Sequence, residues 1–390
     1  MNTARPAHQL LIACATWDPS AAELGAIAGR ADAAVDWAAW MDSVRWHRLV
    51  PHAHRALAAA RAQVPPEISA ALASEAIAIG AGALARARQL TQLIALLRDA
   101  GVGALPFKGP ALSLAAYGDL GVRDSTDLDV VVMRGDVDRA RDALIGAGYV
   151  SRSGMSRAQE RVLQAGYGHL VYTAPSDGAM VELHSRFAAL RYPWAIPVKQ
   201  VFARAAPVEI AGASTLSPDP ADQLLLQVMH GARHQWERLE WLVAFAQLLR
   251  RARRGDHALI ERAEANGSTR ALRLALRLAR DLLAARLSPS LAVLADDTRA
   301  AVCAARIEHV IEEGKFSTDQ PYGFNMAMMD RASDRARYVA LSVLMPTPRE
   351  WELVRLPDWL VALYFPIRIA RVFALQPVRL ARALARRLRR

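Results

Sequence analysis

Cysteine is nearly absent from this chain: Cys14 and Cys303 are the only two in 390 residues. They lie far apart and belong to no metal-like spacing, which argues against a disulfide scaffold and fits a reducing cytoplasm. The N-terminus lacks a long apolar run. Its stretch LLIACA is too brief for a membrane span, and Trp17, Asp18 and Pro19 follow at once, so it reads as a core helix and not a signal peptide. Gly80 and Gly82 lie inside a helical pattern without a third glycine at dinucleotide-binding spacing, which excludes them as a cofactor loop. Internal repeats and long low-complexity linkers are also missing, so the helical parts are expected to pack on the rest of the chain. Acidic residues are lacking after Asp358, where eight arginines follow (Arg368, Arg371, Arg379, Arg382, Arg386, Arg387, Arg389 and Arg390). The net charge of +11 is therefore largely a local property of the C-terminus, and no nucleic-acid-binding module accompanies it.

What the chain does have is length for two or three domains, and 53% hydrophobic residues rich in Ala and Leu, which favour helix. Apolar residues recur at helical spacing through Ala21–Ala31, Trp37–Leu49 and Ile68–Leu97, with breaks at Pro19, Pro51 and Pro65-Pro66. From about Gly101 short apolar runs alternate with helical segments. Strands are expected near Gly103–Phe107 and Leu128–Met133, from Tyr149, and over Gly168–Thr173 and Ala179–Phe187. Helices are expected near Pro110–Tyr117 and Val137–Ala147, and the turn signal Pro175-Ser176-Asp177-Gly178 separates the last two strands. After Pro218 the pattern is helical again, clearest in Leu224–Arg233, Leu239–Ala252 and Thr269–Leu287, while Gly314–Asn325 reads as a loop. The fold class is α+β, a small mixed-sheet module flanked by helical regions. The expected divisions are 1–100, 101–215, 216–355 and a basic amphipathic tail, 356–390.

The chemistry concentrates between Pro106 and Met133. Asp127 and Asp129 alternate into a strand, so they point to one face and repel unless a cation lies between them. Val181-Glu182-Leu183-His184 lies in a later strand, with Glu182 and His184 on one face. If that strand neighbours Leu128–Met133, a third carboxylate joins the pair, and three carboxylates can hold two Mg²⁺ ions. Lys108-Gly109 before a helix offers an ammonium and free amides to phosphate oxygens, or is a plain strand-to-helix turn. Arg123 could clamp a phosphate or pair with Asp124 or Asp127. His230 and His234 share a helix face near Trp236 and Trp241. The glutamate that zinc hydrolases carry beside the first His is absent, so these histidines read as substrate-contacting or structural.

The ordered set Lys108-Gly109, Tyr117, Arg123 and Asp127-x-Asp129 resembles the bacterial family of uncharacterised nucleotidyltransferases within the polymerase-β-like superfamily. The similarity extends to Asp36-Trp37, His47-Arg48-Leu49-Val50-Pro51, Gly148-Tyr149, Glu182-Leu183-His184 and His230–Trp236, over roughly residues 10 to 255. The resemblance implies metal-dependent transfer of a nucleoside monophosphate from a nucleoside triphosphate, ATP above others, to a hydroxyl of a small molecule, peptide or protein. It assigns Asp127, Asp129 and Glu182 to Mg²⁺ or Mn²⁺ and catalysis, and Lys108, Gly109 and Arg123 to the nucleotide, with His184, His230 and His234 near the substrate. Two departures stand out: Lys108-Gly109 replaces the superfamily's usual Gly-Ser, and Ala244 stands where an acidic residue is usual. A non-catalytic nucleotide sensor and a nucleic-acid-modifying protein are the competing readings. The Arg-rich end, after Trp359–Pro366, is expected to meet an anionic membrane surface or an acidic partner, which would place the chain in the cytoplasm, at times on the inner membrane face.

Overall fold

The computed structural model describes residues 6–33, 35–152, 154–194, 196–252, 255–313 and 322–374. Five helices come first: α1 (Pro6–Cys14), α2 (Ala21–Ala31), α3 (Trp37–Trp46), α4 (Val50–Ala59) and the 34-residue α5 (Pro66–Asp99). LLIACA forms the body of α1, with Leu10, Leu11 and Cys14 buried. Pro51 does not end a helix. It sits in the first turn of α4, where its missing N–H has no partner to lose. By length and composition α5 could cross a membrane. Glu75 on it pairs with Arg45, and Arg86 with Asp177 of the hairpin turn.

The module continues with β1 (Ala104–Pro106), α6 (Gly109–Tyr117), β2 (Asp127–Val132), α7 (Val137–Gly146), β3 (Val150–Ser151), α8 (Arg157–Tyr167), β4 (His169–Thr173) and β5 (Met180–His184). The five strands form one sheet in the order β1-β2-β5-β4-β3. β2 and β5 run parallel, with Asp129 opposite Glu182, and the other pairs are antiparallel. Strand alternation divides the sheet's faces. Leu128, Val130, Val132, Val181, Leu183, Leu170 and Tyr172 point to one side. There they pack with Ala87, Leu90, Leu93 and Leu97 of α5 and with Val137, Ala140 and Leu144 of α7. The opposite face carries the polar residues.

Next come α9 (Val198–Arg204) and a hairpin of β6 (Ala206–Ile210) and β7 (Ala213–Ser217), which the sequence pattern did not announce. Its turn, Ala211-Gly212, has both φ angles positive, +48° and +80°, as the tight hairpin turn requires. Then follow α10 (Pro220–Arg233), α11 (Leu239–Arg251), α12 (Asp256–Ala265), α13 (Thr269–Leu283), α14 (Pro289–Ala295), α15 (Thr298–Glu313), α16 (Tyr322–Ala327), α17 (Ala332–Leu344) and α18 (Pro348–Leu353), and the described chain ends in a 3-10 helix (Asp358–Leu363) and helical residues 364–374. Residues 314–321 of the expected loop lie outside the described residues. Its end is helical instead: α16 buries Phe324 and Asn325, and Asn325 donates to the Tyr338 hydroxyl at 3.1 Å. Helices α10, α11 and α13 share one core with α1, α3 and α4, so the two ends of the chain enclose the module together.

Candidate active site

Asp129 is the centre of the polar face. It is 3% exposed, and its Oδ1 accepts from Lys108 Nζ at 2.6 Å and lies 3.0 Å from His184 Nε2. The same imidazole nitrogen is 3.1 Å from Glu182 Oε2. Burial alone would raise the Asp129 carboxyl, but the Lys108 ammonium and the His184 ring outweigh it and hold the group well below the usual carboxylate range. Burial likewise opposes charge on His184, yet its hydrogen bonds to Asp129 and Glu182 push the imidazole above its ordinary value. His169 lies against His184, tilted by 30° with ring centroids 5.1 Å apart. It is driven down to about 4 by burial and by that neighbour.

Asp127 shares the face one strand step away. Burial first, and then the Asp129 carboxylate, push its carboxyl up. Like charges gathered without a counter-ion behave this way. Among the described residues, Asp129, Glu182 and His184 form the one group of three or more possible ligands with all ligand atoms within 4.8 Å of one another. Two oxygen donors and one imidazole nitrogen in that space fit a divalent cation. Asp127 is outside this group, and His184 stands where the sequence had suggested only carboxylates.

The turn that presents Lys108 is built by glycine. Gly109 has φ +53°, a conformation that favours the residue without a side chain, while a Cβ there would make an ordinary contact with the Asp127 carbonyl oxygen at 3.4 Å. The carbonyl of Phe107 accepts from buried Gln223 of α10 at 3.0 Å, which ties the turn to the C-terminal helices. Arg123 does not pair with Asp124 or Asp127. Its Nη2 lies 3.6 Å from Glu240 Oε1 of α11, with both side chains no more than 10% exposed.

A family model described as uncharacterised nucleotidyltransferase matches residues 33–284. The chain belongs to that family. No curated protein and no solved structure gives a match. The match runs from α3 to the end of α13 and contains every site residue named above. The chain is thus a nucleotidyltransferase, an enzyme whose substrate is a nucleoside triphosphate, with a buried Asp-Glu-His group compatible with a divalent metal.

In this nucleotidyltransferase the segment from His230 to Trp236 has a steric logic. Gln235 and Trp236 both have positive φ, +57° and +53°, a turn that folds the fully buried Trp236 indole under α10. A Cβ on Gly231 would lie 2.5 Å from that ring. His230 and His234 face Trp241, with centroids 4.9 and 5.2 Å away. Burial and then Arg233 drive His234 down to about 3, and burial keeps His230 far below its usual range. Both rings are neutral at pH 7. Among the described residues no third possible ligand joins them in a metal group. Sequence reasoning missed Glu240, Gln223 and His169.

Proposed function

We propose that the enzyme transfers a nucleoside monophosphate, from ATP before other triphosphates, to the hydroxyl of a small molecule, peptide or protein, in a reaction requiring Mg²⁺ or Mn²⁺. The convergence of Asp129, Glu182 and Lys108 on one sheet face carries this reading. The acceptor oxygen attacks the α-phosphorus, the bond to the β-phosphate oxygen breaks, and pyrophosphate leaves. In this reading Lys108 holds the departing phosphates, and its ammonium offsets negative charge that grows on them. Glu182, at the open side of the cluster, accepts the hydroxyl proton, and the His184 contact fixes its orientation. A divalent cation held by Asp127, Asp129 and Glu182, with His184 as a neighbouring donor, would supply charge neutralisation at the phosphates. Lys108 now occupies an oxygen of Asp129, so cation binding and release of Lys108 toward the triphosphate are expected to be coupled.

Calorimetry with ATP, GTP, CTP and UTP, with and without Mg²⁺, tests the reading on the wild type and on Asp127→Asn/Asp129→Asn. Mg²⁺-dependent binding of one nucleotide that is lost in the folded double variant supports it. Failure of folded wild type to bind any triphosphate overturns it.

A further inference from the structure

Four cationic side chains, Arg134, Lys199 and Arg337 exposed and Arg186 half-buried, border one opening past the ends of the two parallel strands. Arg134 follows β2, Arg186 follows β5, Lys199 lies in α9 and Arg337 in α17; together they line a pocket of about 350 Å³ that contains no carboxylate. None of the four has an ion-pair partner among the described residues, although most other arginines of the module do. Arg186 feels the charges of Arg134 and Arg337. Gathering like charges costs free energy unless an anion joins them. The position of Arg186 is also built in. A Cβ on Gly168 would lie 2.9 Å from its Cβ, and the Ser185 amide beside it donates to the Gly168 carbonyl at 2.7 Å.

The floor of the pocket is aromatic. Tyr192 and Trp194 stack at 5.4 Å and 17°. Trp194 is 1% exposed, and its indole N–H has no acceptor among the described residues. A buried donor without a partner is uncommon in a folded protein. Phe187, Ala188 and Trp194 also line the crevice beside Lys108 and His230, so the two openings share a wall. Arg186 follows His184 by two residues, just past the end of β5. The crevice itself is too narrow for an acceptor, whereas the pocket has the size usual for small-molecule sites.

We propose that this pocket anchors the acceptor, and that the acceptor is a small organic anion: a phosphate or carboxylate held by the arginines on a flat apolar body packed over Tyr192 and Trp194. Its role as acceptor rests on the transfer reading above; its anion binding does not. The probes are phenyl phosphate and benzoate, titrated calorimetrically without metal into the full chain, with phenol as the neutral control. Binding of either anion but not of phenol, weakened about tenfold by Arg186→Gln and again by Arg337→Gln, is the expected result, and the stronger probe names the anionic group. Neither arginine has a folding partner to lose, and thermal melts of the variants check that. Binding that survives both substitutions, binding lost in Lys108→Gln instead, or no binding of either anion overturns the proposal. Mg²⁺–nucleotide titrations on the same variants separate the two readings. Nucleotide binding should persist in Arg186→Gln, and its absence from the wild type would remove the transfer reading while leaving the anion site intact.

Discussion

Asp127 and Asp129 look equivalent in the strand but are held by different forces, so their amides should behave differently. Asp129 is the shared acceptor of Lys108 and His184. Asp129→Asn is expected to cut kcat/KM by roughly 10²–10³-fold and to cost about 2–3 kcal/mol of stability. That is less than a fully buried pair would lose, because the Lys108 side chain is 23% exposed. Asp127 has a Thr126 contact at 3.4 Å and a carboxyl pushed up by burial and its neighbours. Asp127→Asn should therefore lower activity while leaving the denaturant midpoint unchanged or higher. Parallel urea melts and initial rates check both. A second prediction concerns His52, 2% exposed between Trp17 and Tyr117 and driven down to about 3 by burial and then by Arg123. An unfolded histidine titrates near 6.5. Between these values the unfolded chain binds the proton that the folded chain refuses. Its contribution to stability is whole above pH 6.5 and falls by about 1.4 kcal/mol per pH unit as pH drops toward 3. His52→Phe should flatten the plot of unfolding free energy against pH by that slope, leaving the other buried histidines to act below neutrality.

At the scale of elements, the turn from α10 to α11 invites a paired test. Gly231→Ala puts a methyl carbon 2.5 Å from the Trp236 ring, an overpacking cost of roughly 1–3 kcal/mol. This exceeds the gain of up to about 1 kcal/mol that alanine brings to a helix, so the variant should be destabilised and should lose the Trp241 environment seen by fluorescence. In α5, a methyl on Gly82 would meet nothing within 4 Å, so Gly82→Ala should stabilise the protein by a few tenths to about 1 kcal/mol. The same elements show what the sequence could reveal. Asp127, Asp129, Glu182 and His184 were legible because strand alternation is a local rule and the turn at Pro175–Gly178 joined β4 to β5. That β5 could neighbour β2 was suggested by the small size of the sheet; that the two strands run parallel was not legible in the sequence. Arg123 with Glu240 was not legible: 117 positions separate them, and only the packing of α11 against α6 brings them together. The β6–β7 hairpin escaped because Ala211 adopts a positive φ without the Asn or Asp that announces such turns. Helix α16 was hidden by an opening Tyr-Gly that resembles a loop.

At the scale of the molecule, part of the basic C-terminus is engaged internally. Residues 358–374 are described and dock on the module: the Tyr364 hydroxyl donates to the Val354 carbonyl and accepts from Gln159 of α8 at 3.2 Å. Arg368 and Arg371 both reach Glu350, which is fully buried and also caps α18 through Thr347. Of the eight arginines after Asp358, these two neutralise an internal carboxylate. The other six, Arg379 to Arg390, lie beyond the described residues. We propose that the expected membrane surface or acidic partner is recognised by those six. Each basic residue near an anionic bilayer contributes about 1 kcal/mol, screened over a Debye length of roughly 8 Å at physiological salt. The full chain should float with vesicles containing phosphatidylserine at low salt and be released as salt rises. A chain ending at residue 374 should stay in solution with an unchanged melting temperature, because the Glu350 pairs remain. Glu350→Gln should do the reverse, lowering stability by about 2–3 kcal/mol for two arginines left without their buried partner, while flotation persists. Equal flotation of the full and shortened chains would place any membrane contact elsewhere, and the exposed apolar stretch of α5 around Ile77 and Leu84 would be the next surface to test.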